Sequence, residues 1–272
     1  MSDVQGPAVG PQDLKGHNAL ILGASSGMGA ACAQTLARQG MNIVGVHFDT
    51  ATEQDRVDAL TAELRSHGVE VTFHNVNAAN KRARAEVVEE LQGQLAERGV
   101  RVLLHSLAFG TLQPYIAEAD EAINPRQVSM TADVMAHSLV YWTQALHSAE
   151  LLRSGSKIFA MTSAGDQKVT ASYGAVSAAK CALAAHARQL AVELAPAGIA
   201  VNLLRAGVTV TPSLERIPEH KALLATAEER NPHGRLTQPE DVAAWIAQLS
   251  QLDSSWLTGN VIGIDGGEAL TS

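Results

Sequence analysis

The chain has 272 residues, 46% hydrophobic and 18% charged, with 20 Lys plus Arg against 28 Asp plus Glu and a formal charge of −8. That length buries roughly three quarters of the unfolded surface and suits one α/β domain without staples. The composition excludes collagen, coiled coil and disorder, and the negative balance lacks the footprint of a nucleic-acid binder. No apolar run approaches the about 18 residues of a membrane span. Cys32 and Cys181 stand alone, and no H-x-x-x-H or carboxylate cluster suggests a metal. Residues 1–12, polar with Gly and Pro and lacking an apolar leader core, are expected to form a flexible tail on a cytoplasmic protein.

Short apolar runs then alternate with helical patterns. Asn18 to Leu22 is a first strand, followed by a glycine loop and a helix, Ala30 to Gln39, that stops at Gly40. Asn42 to Phe48 is a second strand; Thr50 and Glu53 make a capping box before a helix with Val57, Leu60 and Leu64 on one face. Val69 to Val76, a helix over Lys81 to Glu97, and Val102 to Ser106 follow. Next come a helix around Arg126 to His147, a strand at Lys157 to Thr162 and an Ala-rich helix from about Tyr173 to Leu194, ended by Pro196 and Gly198. Ala200 to Leu204 and Val261 to Ile264 complete seven strands. Strands separated by helical stretches require crossovers, so the expected fold is a single Rossmann-like, doubly wound, seven-stranded parallel sheet with helices on both faces over residues 13–272. The Pro-interrupted, charged stretch at about 211–232 reads as a lid.

Gly23, Gly27 and Gly29 give G-x-x-x-G-x-G at the first strand-to-helix junction, where glycines let backbone N–H groups approach a pyrophosphate. This spacing resembles the short-chain dehydrogenase/reductase superfamily, over about residues 15 to 268. Asn202 to Gly207, Asn231 to Val242 and Thr258 to Gly267 carry the resemblance further, in order. Leu22, Ala206 and Asn75-Val76 depart from it, standing where relatives have Thr, Pro and Asp-Val. The resemblance implies a dinucleotide held by Gly23, Ser25, Ser26, Gly27, Met28 and Gly29, by His47 and Phe48, and by Asn75 and Val76. It extends the contact to Ser106, Leu107, Ala108, Thr162, Lys180, Gly207, Val208, Thr209 and Thr211. The second strand ends His47-Phe48-Asp49 without the Arg or Lys that a 2′-phosphate wants, and the glycine loop has none, so NAD(P)H leaning to NADH is expected. Phe48 is read either as an adenine platform or as core.

In most of that superfamily a Tyr lies four residues before the catalytic Lys. Here that position is Val176, and Tyr173 lies seven before Lys180, almost two helical turns and still on one face. This Tyr-x6-Lys spacing resembles the NADH-type enoyl-acyl-carrier-protein reductase branch. So do His105-Ser-Leu-Ala-Phe109, Asp133 at the usual helix Asn, and Arg205-Ala206-Gly207, which is like the branch's Ser-Ala-Gly. The resemblance implies hydride transfer to the β-carbon of a 2-enoyl thioester, with the Tyr173 hydroxyl on the thioester oxygen. Lys180 is expected on the nicotinamide ribose, lowering the Tyr pKa. Ser163, ten before Tyr173, is read either as a further donor to that oxygen or as a cap of its loop. The alternatives are a carbonyl reductase using Ser163 and Tyr173, and a dinucleotide-binding sensor without turnover.

Expected partners are an acyl thioester, on coenzyme A or an acyl carrier protein, and three further copies in a homotetramer. The tetramer would form through helices 126–147 and 173–194, where Ala178, Ala182 and Ala185 allow close approach, a spacing that equally suits packing within one subunit. Arg205, Arg216 and Lys221 are read either as docking cations or as a solvated face, and 228–230 reads as a solvated lid face. His105 is read as shaping its loop, and His137, His147 and His186 as structural residues without partners.

Overall fold

A computed structural model describes residues 12–118, 121–218 and 220–271. Residues 1–11 of the expected tail lie outside them. Gln12, its last residue, is tied down through its amide to the Gln251 carbonyl at 2.8 Å.

The elements in chain order are β1 (Asn18–Leu22), α1 (Gly27–Arg38), β2 (Asn42–His47), α2 (Gln54–Ser66), β3 (Val71–Asn75), α3 (Lys81–Leu95) and β4 (Val102–His105). After them come α4 (Pro125–Ala132), α5 (Ser138–Ser148), β5 (Lys157–Thr162), α6 (Gly174–Leu194), β6 (Ala200–Ala206), α7 (Pro212–Glu215), α8 (His220–Arg230), α9 (Pro239–Gln251) and β7 (Val261–Ile264). All seven strands pair in parallel in the order β3-β2-β1-β4-β5-β6-β7, the doubly wound sheet expected from the alternation. The strand order reverses between β1 and β4, which opens a crevice above their carboxyl ends.

Side chains of β1 alternate between two cores. Leu20 and Leu22 pack with Leu103, Trp142, Leu183 and Leu203 on the α5–α6 side; Ala19 and Ile21 pack with Leu36, Phe159 and Ile246 on the α1–α9 side. Burial on both faces explains why the central strands read as continuous apolar runs. Among the described residues no helix is long and apolar enough to cross a membrane.

The helix expected over 126–147 differs from a regular α-helix. Asp133–His137 forms a π-helical turn between α4 and α5. Ser138 Oγ, fully buried, donates to the Val134 carbonyl at 2.7 Å and accepts from His105 Nε2 at 2.8 Å. A side chain inserted into the backbone ladder is a recognised cause of such bulges, which concentrate at functional sites. The expected lid contains α7 and α8. Its acidic run is only partly solvated, because Arg230 reaches back to the Thr271 carbonyl while Glu228 and Glu229 are exposed.

Trp142 is fully buried and donates Nε1–H to the Ala78 carbonyl at 2.9 Å, while Trp245 and Trp256 are exposed. Trp142→Phe leaves that carbonyl without its donor and should cost about 2–3 kcal/mol in denaturant titration. The same variant should lose the blue-shifted part of the tryptophan emission, and an unchanged spectrum would contradict the burial.

Candidate active site

The loop after β1 is shaped by close backbone approaches. Gly23 has φ +88, and a Cβ there would overlap the Ser106 carbonyl oxygen. Gly29, in the first turn of α1, packs so closely on the Gly23 carbonyl that no side chain fits. Ser26 N-caps α1 without a side-chain hydrogen bond, and the first turn holds no acidic residue. The leading amides of α1 therefore face the crevice with their partial positive charge uncompensated, a cradle suited to a diphosphate. Opposite them stands Thr211, its methyl 3.4 Å from where a Gly27 Cβ would lie, its hydroxyl accepting from Leu214 N at 3.2 Å. Leu107 borders Gly23, and Glu268 holds the Val208 amide at 2.9 Å. Thr209 is buried, its hydroxyl on the Gly207 carbonyl at 3.0 Å. The segments after β1, β4 and β6 thus meet over the crevice.

At the far end of the loop, Phe48 is 70% exposed, which rules out the core reading and leaves a free aromatic face. His47 keeps its side chain to itself. It is buried, with Nδ1 on Asp49 Oδ2 at 2.7 Å and its ring against Phe73, so a side-chain contact with a dinucleotide would have to pass through Asp49. The Asn75 side chain bridges to the backbone of Asp49, accepting from its amide at 3.2 Å and donating to its carbonyl at 3.0 Å. Sequence reasoning found no cation here, yet Arg56 of α2 lies against the loop, bonded to the Ser25 carbonyl and paired with Asp49 at 3.0 Å. The Asp49 carboxyl is partly buried, but bonds from Ser25 and His47 and the Arg56 charge hold it below the usual carboxylate range.

The candidate catalytic residues lie at the carboxyl end of β5 and the start of α6. Lys180 is 5% exposed, and its Nζ donates to the Met161 carbonyl at 2.7 Å. Tyr173 is the N-cap of α6 rather than a member of its first turn, and Ser172 before it sits at φ +58, an unusual conformation for a non-glycine residue. Two clean helical turns therefore do not separate the pair. Val176 is buried in the apolar core and cannot act in place of the tyrosine. Ser163 is found as the cap of its turn, its Oγ accepting from Gly165 N at 3.3 Å, and its hydroxyl lies near enough to the Tyr173 phenol to favour the ionised form. Tyr115, from the segment after β4, lies against Gly174 beside Tyr173. Around this corner, Phe109, Tyr115, Ile116, Val169 and Val210 leave large apolar surfaces exposed.

Burial of Lys180 lowers its pKa to about 8, with Asp166 opposing. The Tyr173 phenol is raised by burial and by Asp166, against the favourable Ser163 bond, so the expected lowering by Lys180 is not found. Burial together with the neighbouring Lys180 pushes His105 down to about 3, so it is neutral. Because Ser138 donates to Val134, His105 carries its proton on Nε2, and its Nδ1 has no protein partner among the described residues.

Three features escaped the sequence. Asp166 pairs with Arg205 at 3.1 Å, and Arg205, with its side chain 17% exposed, is no docking cation, whereas Arg216 and Lys221 are exposed. Asp133 faces Tyr141, whose hydroxyl lies 3.5 Å from it, and not Lys180. His137 and His186 are not partnerless, since their ring nitrogens bond at 2.9 Å. Among the described residues no group of three or more His, Cys, Asp or Glu could hold a metal.

A doubly wound sheet with a glycine cradle at its topological switch point and a Tyr-Lys pair beside it defines a nicotinamide-dinucleotide oxidoreductase. The chain belongs to the short-chain dehydrogenase/reductase superfamily, and a family model described as enoyl-(acyl carrier protein) reductase matches residues 23–268. It is 28% identical to dehydrogenase/reductase SDR family member 4 of Sus scrofa, over 94% of this chain and 88% of that one. It is 30% identical to an uncharacterized oxidoreductase of Methylorubrum extorquens, over 93% and 98%. The fold matches enoyl-[acyl-carrier-protein] reductase (NADH) of Aquifex aeolicus with TM-score 0.81 at 22% identity, covering 95% and 98%. A Burkholderia cenocepacia short-chain dehydrogenase in complex with NADP matches with TM-score 0.79 at 24% identity, covering 95% and 100%.

Burying Lys180 has a measurable cost. Its pKa falls from 10.5 to about 8, so the unfolded chain binds the extra proton between those values and stability rises with pH across that window. Lys180→Met should raise stability at pH 7 by up to about 3 kcal/mol, a gain that shrinks as pH approaches 10. Thermal melts from pH 7 to 10 check this, and a pH-independent difference would contradict it.

Proposed function

We propose that the protein reduces the carbon–carbon double bond of 2-enoyl thioesters. The observation carrying this reading is the placement of Tyr173 seven residues before Lys180, with buried Val176 at the position where a ketoreductase holds its proton donor. The cradle of Gly23, Gly29 and the uncapped α1 amides fits a dinucleotide diphosphate, Phe48 offers a face to adenine, and Lys180 would meet the nicotinamide ribose. When bound there, the dinucleotide supplies hydride for the β-carbon. Negative charge would then develop on the thioester oxygen, the Tyr173 hydroxyl would donate a hydrogen bond to that oxygen, and a proton delivered to the α-carbon, by Tyr173 or solvent, would complete the reduction. A raised phenol pKa suits this role, because the group must keep its proton while it stabilises charge. Ser163 supports the phenol from behind, and the apolar rim at Phe109, Ile116 and Val169 suits an acyl chain.

Asp49 lies twenty residues after Gly29, the spacing at which a carboxylate receives a ribose hydroxyl, and supports NADH. Arg56 beside Ser25 supports the second reading, NADPH, because it brings a cation to the same place. Arg56→Ala separates them. If Arg56 meets a 2′-phosphate, KM rises for NADPH alone; if Asp49 governs, the NADH preference persists. We further propose a cytoplasmic homotetramer associating through the α6 face that exposes Ala178 and Ala185, a state that sedimentation reads directly.

The deciding assay follows NADH and NADPH oxidation with crotonyl and acetoacetyl thioesters side by side. Turnover of the crotonyl substrate is expected, and Tyr173→Phe should lower kcat about 10²-fold with little change in dinucleotide affinity. Turnover of only the keto substrate would instead support carbonyl reduction. Tight dinucleotide binding with no turnover of either would support a sensor.

A further inference from the structure

The turn that follows β5 is fastened from three sides. The Arg205 Nη2 of β6 reaches both carboxylate oxygens of Asp166, at 3.3 and 3.1 Å, and the two side chains are only 17% and 7% exposed. Thr162 Oγ1, at the end of β5, donates to the same carboxylate at 3.4 Å. From α6, the Cys181 thiol donates to the Asp166 carbonyl at 3.3 Å. The fastened turn carries Ser163 at its start and, at Gly165, the floor on which the Tyr173 ring lies: a methyl group there would come within 2.5 Å of Cε1.

Stability alone is a poor reason for this arrangement. Desolvating two charges offsets most of their attraction, and well-packed apolar residues commonly serve as well. What a buried, hydrogen-bonded ion pair does supply is a fixed position and a fixed local charge. Both are delivered directly beneath the residue on which the proposed chemistry rests.

We propose that Asp166 and Arg205 are positioning residues, clamping the Ser163–Asp166 turn onto β6 so that the Ser163 hydroxyl and the Tyr173 phenol are held in one arrangement relative to Lys180. This rests on the reading of Tyr173 as the group that acts on the substrate oxygen. The charged group that acts on the phenol is Asp166 from the turn; Arg205 of β6 and Cys181 of α6 hold Asp166 itself, Tyr115 lies against the neighbouring Gly174, and the Lys180 ammonium is turned to the Met161 carbonyl. His105, beyond Lys180, is neutral. After burial, Asp166 is the influence that raises the phenol, and it also raises Lys180. Arg205 balances that carboxylate.

The pair therefore predicts opposite effects from its two halves. Asp166→Asn removes the carboxylate and leaves Arg205 unbalanced, so the phenol should titrate at lower pH. Arg205→Met leaves the carboxylate unbalanced, so it should titrate at higher pH. The double variant D166N/R205M should return near the wild-type midpoint, while its turnover falls about tenfold or more through lost positioning, with KM little changed. Arg205→Lys, which keeps the charge, should recover most of the turnover.

The phenol is read by ultraviolet absorbance after stopped-flow pH jumps, with Tyr173→Phe identifying its contribution among the three tyrosines. Midpoints that move in the same direction in both single variants, or that do not move, would overturn the proposal. If a single variant does not fold, the double variant carries the comparison, since it leaves no unbalanced buried charge; unchanged turnover there would also overturn it. The absorbance readout needs no substrate. Opposed phenol shifts without enoyl reduction would therefore sink the enoyl reading and leave the clamp, and enoyl reduction without opposed shifts would do the reverse.

Discussion

The burial of one ammonium group organises the site. Lys180 sits between α6 and the end of β5, where Met161 offers a single carbonyl and the packing admits little water. A cation so placed is held close to neutrality, at about 8, and its field extends to its neighbours. His105 is forced into the neutral form and serves only as a donor to Ser138, which in turn holds the π-helical turn between α4 and α5. Asp166 partly compensates the buried cation, and Arg205 balances Asp166. Each of these residues would be costly alone, and the set is tolerable because charges and dipoles alternate through it.

The architecture was legible because it depends on local patterns. Apolar runs of four to seven residues, spaced by helical stretches, allowed only a parallel, doubly wound sheet, and all seven strands lie within a few residues of their expected bounds. The glycine spacing was legible for a similar reason: overlap with the Ser106 and Gly23 carbonyls is a steric demand on residue type, and sequence records it directly. The Tyr173–Lys180 spacing also lies within one short segment.

What stayed hidden is what depends on register between distant elements. Asp166 and Arg205 are 39 positions apart and meet because Thr162 pairs with Arg205 across the sheet. His137 and His186 meet across two packed helices, and Arg56 reaches the glycine loop from the first turn of α2. Periodicity says which face a residue occupies and nothing about which residue of another element stands opposite. The π-helical turn left no compositional trace either: the serine hydroxyl that bonds back to the Val134 carbonyl there is met by a histidine from β4.

The same distinction bears on how the reactive pair is set. Helical arithmetic treats Tyr173 and Lys180 as two rungs of one ladder, with a separation fixed by pitch. Tyr173 instead stands just outside α6, at φ −99, after a serine in the left-handed region. Its amide bonds to the Thr170 carbonyl at 3.2 Å, and only its own carbonyl joins the helix, through Ser177 N at 2.8 Å. The helix therefore fixes the lysine, whereas the phenol is placed by the loop that ends at Ser172 and by the turn beneath its ring. A non-glycine residue held at positive φ persists only where surrounding contacts over-determine it. The residues it delivers into α6 are met from outside that helix, Tyr173 by Gly165 and Ser163, and Gly174 by Tyr115. The distance between acid and cation is then adjustable by residues far from either in sequence, which gives this fold a way to move a phenol between substrate atoms without rebuilding the helix that carries the lysine.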